Sequence, residues 1–147
     1  MPEPAAILLS VRSPHVERLL EGSKTVELRR RPINVERGTL VLLYAAGERK
    51  EVVGSVTVEA VELAEPAQLW RRYALRVGVT RTEFDAYYSG APIGCALIAS
   101  NPRTLPEPIE LAELRRRWDG FATPQTYRRV DATEFVCILN GERRLLC

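Results

Sequence analysis

The sequence predicts an α+β fold, in which a mixed or mainly antiparallel sheet curls into a small β-barrel with helices packed on its outside. Two observations predict this class. Strand-like apolar runs follow one another without the regular crossover helices that a parallel sheet requires, and the helical patterns among them are short. The 147 residues, 46% hydrophobic and 27% charged, also fit one soluble domain with a sizeable core. We therefore expect a single domain over residues 1–147.

The chain opens with a predicted strand and a predicted helix. Residues 6–11 form an apolar run of the length of a buried strand. Ser13 then suits a helix N-cap, and Pro14 suits the first helical turn. Apolar residues follow at helical spacing, and Gly22 stands where a left-handed C-cap is expected. The helix is therefore predicted to end just before Lys24.

Residues 22–31 cross from the end of this helix into a predicted strand. Because side chains alternate across a strand, Val26 and Leu28 face one side and a polar set faces the other. The polar residues of the stretch are Lys24, Thr25, Glu27, Arg29 and Arg31. An acid beside bases is able to bind an anion or transfer a proton. A surface ion pair worth about 0–1 kcal/mol is the simpler alternative, and the residues alone leave both open.

The remaining strands are predicted from apolar runs and alternation. Residues 39–45 are typical of a central strand buried on both faces. Residues 52–63 alternate as in a half-exposed antiparallel strand, with a change of phase near residue 60 that indicates a bulge or bend. Residues 134–139 predict a further strand, and an Asn-Gly turn then predicts a hairpin into residues 143–147.

The middle of the chain is predicted to be helical. Pro66 opens one helix, and Thr80 with Glu83 forms a capping box at the start of a second. The aromatic residues of both helices have a spacing that favours a core role over base stacking. Residues 93–100 predict a strand, and the three prolines that follow predict a loop. Residues 111–117 predict a short helix with cations in its last turn.

Composition narrows the classes of function. No apolar run approaches the roughly 20 residues that span a bilayer, and no signal peptide is recognisable, so we expect a cytoplasmic protein. Cys95, Cys137 and Cys147 are odd in number and widely spaced, which predicts reduced thiols rather than a disulfide framework or a metal site. His15, the only histidine, is expected to be a solvated helix residue. No metal or cofactor is expected. The net charge of +2 is too small to indicate nucleic-acid binding by itself.

The residues at the helix-to-strand junction carry a family resemblance. Gly22, Lys24, Glu27 and Arg29 match the Gly-x-Lys-x-x-Glu-x-Arg signature of ASCH domains, which belong to the PUA-like superfamily. The resemblance covers nearly the whole chain and is closest to the bacterial stand-alone type. It extends over residues 9–21, 70–88, the strand from residue 94, and 124–128.

The resemblance implies a cleft between the barrel and the first helix that faces RNA or a nucleotide-like ligand. In this cleft Lys24 and Arg29 would contact phosphate or a base edge. Glu27 would accept a hydrogen bond from an exocyclic amine or orient Arg29. The other candidate ligand-binding residues are Arg12, Arg31, Tyr44, Gln125, Tyr127 and Arg128.

Binding and catalysis both remain open in the sequence, and Lys24 and Glu27 are the candidate catalytic residues if the protein is an enzyme. The first hypothesis is a non-catalytic RNA-binding or regulatory module. The second is a metal-independent ribonuclease that uses Lys24, Tyr44 or Tyr127, and an arginine to stabilise a pentavalent phosphate. A third, an amidohydrolase acting on acetylcytidine, is weakened because Glu27 stands at the position of that group's threonine, and the region of its glutamate, residues 76–78, holds no acid. A domain with a protein partner is the fourth.

Overall fold

The computed structural model describes residues 6–118 and 120–140 of the chain. Six strands and five helices follow one another within these residues. They are β1 (Ala6–Arg12), α1 (His15–Glu21), β2 (Val26–Arg29), β3 (Leu40–Ala46), β4 (Glu51–Ala64), α2 (Pro66–Tyr73), α3 (Arg81–Tyr87), β5 (Gly94–Glu110), α4 (Leu111–Arg117), β6 (Tyr127–Val130) and α5 (Ala132–Asn140). None of these helices is long and apolar enough to cross a membrane.

The strands form one curled, mixed sheet in the order β2-β5-β4-β3-β1-β6. The pair of β1 and β3 is parallel, and the other four pairs are antiparallel. The two long strands β4 and β5 shift register at three places, and such bulges bend and twist a sheet. The sheet curves into a half-barrel with helices packed against it, and this confirms the predicted α+β class.

Three hydrophobic clusters attach the helices to this sheet. The first joins α1, through Val16 and Leu19, to inward-facing residues of the strands. The second lies under α4 and α5, and the third lies between α2, α3 and the β2–β5 pair. Strand β3 serves two clusters at once, because Leu43 belongs to the first and Leu42 to the second. This confirms the prediction of a central strand buried on both faces.

Local signals place α1 and α3 where the sequence predicts them. Gly22 ends α1 with a φ of 84°, in the left-handed conformation that glycine adopts without a Cβ penalty. At the start of α3, Thr80 and Glu83 exchange both hydrogen bonds of a capping box. The bend predicted near residue 60 is also present, since the register between β4 and β5 shifts between Val58 and Ala60.

Two predictions for the second half of the chain are wrong. Residues 134–139 lie in α5, not in a strand, because Asp131 and Glu134 form a second reciprocal capping pair that starts a helix. The prolines after residue 100 do not end β5, which continues to Glu110. There β5 has lost β2 as a neighbour and pairs with β4 alone, and prolines are tolerated on such an edge.

Two further expectations concern the chain end and the thiols. The predicted hairpin at residues 140–141 and the strand at 143–147 lie outside the described residues. Cys95 is a buried free thiol, as expected. The expectation of a reduced thiol is wrong for Cys137, which is disulfide-bonded.

Candidate functional site

A cleft of about 780 Å³ opens where β2 faces the end of β1 across the curl of the sheet. These two strands are not neighbours in the sheet order, so no backbone ladder closes the space between them. Helices α1 and α3 form one wall, and the ends of β1 and β3 with residues 123–125 form the other. Polar side chains from both walls face the cleft; they are Ser10, Arg12, His15, Lys24, Glu27, Arg29, Tyr44, Lys50, Glu83, Tyr87, Thr123 and Gln125.

The signature residues form a buried ionic network at the centre of this cleft. Glu27 is only 6% exposed, and its two carboxylate oxygens have different partners. Arg29 donates to Glu27 Oε2 from Nε at 3.0 Å and from Nη2 at 2.7 Å. The ammonium of Lys24 lies 3.4 Å from Glu27 Oε1. Nη2 of Arg29 also donates to the Ser10 carbonyl at 2.7 Å, and this contact ties β2 to β1.

Lys24 is the most deeply buried of the three charged signature residues. It is 2% exposed, and its Nζ donates a hydrogen bond to the carbonyl of Val77. Burial lowers the pKa of the Lys24 ammonium, and the charge of Glu27 opposes that shift. The segment that carries Val77 is also held from α1, since Arg18 donates to the Gly78 carbonyl at 2.6 Å. Lys24 therefore packs inside the protein, between the strand and this segment.

His15 is not the solvated residue that the sequence predicts. It is half-buried against the cleft, and its Nδ1 is buried without a hydrogen-bond partner among the described residues. Burial lowers the pKa of His15, and the nearby charge of Lys24 lowers it further, so the imidazole is neutral at pH 7. Sequence reasoning missed His15 because the fold brings its neighbours in the cleft together, and no local sequence pattern marks it.

The other end of the cleft is cationic and holds a buried tyrosine. Arg12 and Lys50 are exposed there, and neither side chain has an ion-pair partner in the described part of the chain. Tyr44 is 3% exposed, and burial raises the pKa of its hydroxyl. That hydroxyl makes no hydrogen bond to another described residue and is not sealed from the cleft.

Sequence reasoning also failed to identify Lys50 as a cleft residue. Its backbone has a φ of 50°, a conformation that is uncommon for residues other than glycine. Two backbone bonds hold it there, from its N–H to the Ala45 carbonyl at 2.9 Å and from the Leu111 N–H to its carbonyl at 3.0 Å. As one of only two lysines in the chain, it was a visible candidate, but no local pattern pointed to the cleft.

The structure brings six of the nine predicted site residues to this cleft: Arg12, Lys24, Glu27, Arg29, Tyr44 and Gln125. The other three lie elsewhere. Arg31 is exposed beyond the end of β2. The Tyr127 ring packs against the first hydrophobic cluster, and its hydroxyl accepts from the Asn34 N–H at 3.3 Å. Arg128 covers the Trp118 ring, with its guanidinium carbon 4.1 Å from the centroid.

The curled sheet with its packed helices has the fold of an ASCH domain, as the sequence predicts. The crystal structure of ASCH from Zymomonas mobilis superposes with a TM-score of 0.87 at 23% identity, covering 92% of this chain and 94% of that one. At the level of sequence, the family described as "Domain of unknown function (DUF365)" matches residues 4–129. The chain belongs to that family.

Two curated proteins are also similar to this chain. The "ASCH domain-containing ribonuclease" of Zymomonas mobilis is 24% identical over 144 residues, which are 97% of both chains. The "Large ribosomal subunit protein uL22" of Ureaplasma parvum is 33% identical over 73 residues, half of this chain. That match spans only 24% of the ribosomal protein, so the matching half of this chain corresponds to about a quarter of that protein's length.

Proposed function

We propose that this protein binds single-stranded RNA in the cleft, with phosphates seated between Arg12, Lys50 and Arg29. The observation that carries the proposal is that four cationic side chains line one cleft. Two of them, Arg12 and Lys50, are exposed and without an ion-pair partner among the described residues. Cations that neutralise phosphates supply most of the affinity for a nucleic-acid backbone. The similarity to a protein named as a ribonuclease supports RNA as the partner. The protein would bind this RNA in the cytoplasm.

Lys50→Met is expected to weaken binding of a short single-stranded RNA by about three- to tenfold at physiological salt. The substitution removes one phosphate contact, so the slope of log K against log salt concentration should become shallower by about 0.7. Fluorescence anisotropy across a salt series measures both quantities. Arg37→Ala is the matched control, because Arg37 is exposed and outside the cleft. Equal effects of the two substitutions would show that binding is diffuse surface electrostatics.

We propose RNA cleavage as a second function of the same cleft. The specific observation is that Tyr44 lines the cleft and that its hydroxyl is neither sealed from solvent nor hydrogen-bonded to another described residue. Because burial raises the pKa of this hydroxyl, it is protonated at neutral pH and suits a donor rather than a base. In transesterification the ribose 2′-hydroxyl loses its proton to water as its oxygen attacks phosphorus, and the 5′-oxygen leaves, taking up a proton. Tyr44 would donate to the phosphoryl group or to this oxygen, while Lys50 and Arg29 balance the charge on phosphorus.

Tyr44→Phe is expected to lower the rate of RNA cleavage by about 100-fold or more while RNA affinity stays within about threefold. The ring keeps its place in the second hydrophobic cluster, so only the hydroxyl is lost. Single-turnover cleavage of an end-labelled RNA, measured in EDTA, gives the rate, and anisotropy gives the affinity. If the wild type binds but leaves RNA intact, the protein is a binding module only. An amidohydrolase activity is disfavoured, since the Lys24 ammonium already contacts the Val77 carbonyl and the Glu27 carboxylate.

A further inference from the structure

We infer that Lys24 and Glu27 are positioning residues, which hold the Arg29 guanidinium in place for a phosphate and do not touch the ligand themselves. This inference rests on the RNA-binding function proposed above. Of the three charged signature residues, Arg29 alone would contact the ligand.

The Arg29 guanidinium is held by hydrogen bonds to the protein along one edge. Its Nε and Nη2 both donate to Glu27 Oε2, and Nη2 donates to the Ser10 carbonyl as well. Nη1 has no hydrogen-bond partner among the described residues and is not buried. One edge of the guanidinium is therefore fixed by the protein, and the remaining nitrogen of a cleft-lining residue is free to donate. A donor held in this way loses little rotamer entropy when a phosphate binds.

The Lys24 side chain is buried beneath the cleft surface. At 2% exposure its ammonium is enclosed by the Val77 carbonyl on one side and Glu27 Oε1 on the other. Two of the three N–H groups of this ammonium have these partners, and a side chain that is 2% exposed leaves almost no surface for a phosphate oxygen. Displacing the Val77 carbonyl would leave it buried without a partner, at a cost of about 1–3 kcal/mol. Direct contact between Lys24 and a ligand is therefore unfavourable.

The charges of the three signature residues do not cancel. Lys24, Glu27 and Arg29 together carry one net positive charge, because one carboxylate faces two cations. Without Lys24, the pair of Glu27 and Arg29 would be neutral, and its attraction for an anion would fall. Lys24 thus supplies the excess charge from inside the protein, and Arg29 presents it at the cleft surface.

The network of Lys24, Glu27 and Arg29 is also connected to the wall of the cleft. The Arg29 contact with Ser10 spans β2 and β1, which lie on different sides of the cleft. Lys24 holds Val77, and Val79, two residues further on, lines the same cleft. Loss of the network is therefore expected to release both the guanidinium and this part of the wall.

A double-mutant cycle tests the inference. Four proteins are compared for RNA affinity and salt slope: wild type, Lys24→Met, Arg29→Ala and the double variant. If Lys24 acts through Arg29, Lys24→Met lowers the affinity of the wild type by clearly more than it lowers that of Arg29→Ala, where only the change of one charge remains. Lys50→Met, which removes the only other lysine and a proposed direct contact, should lower affinity in both backgrounds and reduce the salt slope each time.

A second measurement does not depend on RNA. The ¹⁵N relaxation of the Arg29 Nε–H signal, assigned from an Arg29→Lys spectrum, should indicate a rigid group in the wild type and a mobile one in Lys24→Met. Glu27→Gln should mobilise it too, and it serves as the second variant if Lys24→Met does not fold. A signal that stays rigid in both variants, or a cycle in which the effects of Lys24→Met and Arg29→Ala are additive, overturns the inference. If Arg29→Ala leaves RNA affinity unchanged while the signal behaves as expected, the positioning by Lys24 and Glu27 stands, and the proposed role of Arg29 in the RNA cleft fails.

Discussion

Glu27→Ala is expected to destabilise the protein by about 3–5 kcal/mol, the usual cost of leaving a buried charge without its partner. The carboxylate lies between the ammonium of Lys24, whose side chain is 2% exposed, and the guanidinium of Arg29, whose side chain is 15% exposed. Removing it leaves two cations close together, with Arg18 and the half-buried His15 nearby. Desolvation and repulsion then act in the same direction. Urea unfolding followed by tryptophan fluorescence measures the change.

Two comparison variants identify the cause of that loss. Asp85→Ala breaks an exposed i,i+4 pair with Arg81, in which both side chains are more than half exposed, and should cost about 0–1 kcal/mol. Adding Lys24→Met to Glu27→Ala removes the uncompensated ammonium, so the double variant should be more stable than Glu27→Ala alone. If the double variant is less stable than the single one, the cost of Glu27→Ala comes from lost packing, not from unpaired charge.

Local signals in the sequence place the signature correctly. Gly22 ends α1 in the left-handed conformation, and the alternation from Val26 onward sets Glu27 and Arg29 on the polar face of β2. These features depend only on neighbours in the chain, and caps and strand alternation act at that range. For the same reason the capping box of α3 and the buried strand β3 agree with their predictions.

The incorrect predictions have a different physical origin. Residues 134–139 include apolar and β-branched side chains that suit a strand. The capping pair of Asp131 and Glu134 instead starts a helix, which packs on the second hydrophobic cluster. Strand β5 runs through three prolines because only one of its edges is paired there. In both cases a contact outside the apolar run decides the structure.

The composition of the cleft could be predicted only in part. The signature residues are adjacent in sequence, whereas Lys50 and His15 reach the cleft through the curl of the sheet and the packing of α1. Their types carry no local pattern that distinguishes them from surface residues. The structure also changes the interpretation of Lys24, since no sequence feature indicates that this ammonium is enclosed by the Val77 carbonyl.

The position of α1, and with it one wall of the cleft, depends on a close approach at Gly54. Gly54→Ala is expected to destabilise the protein by about 3 kcal/mol or more, or to prevent folding. An added Cβ would lie 2.3 Å from the Arg103 carbonyl oxygen and 2.7 Å from Leu20 Cδ2. The first of these atoms is backbone of β5, and β5 is paired with β4 at this point, so it is unable to move aside without loss of the pairing. The second belongs to α1, which would have to move away from the sheet.

Gly22→Ala provides the matched control, because an added Cβ there meets nothing within 4 Å and the cost comes from its φ of 84° alone. That substitution should cost about 1 kcal/mol. Urea unfolding of both variants gives the comparison, and near-ultraviolet circular dichroism reports whether Gly54→Ala retains fixed packing. Equal costs for the two glycines would contradict the close approach of α1 to β4. A much larger cost at Gly54, with weaker RNA binding by any protein that still folds, would show that strand-to-helix packing at this glycine positions the wall that carries His15.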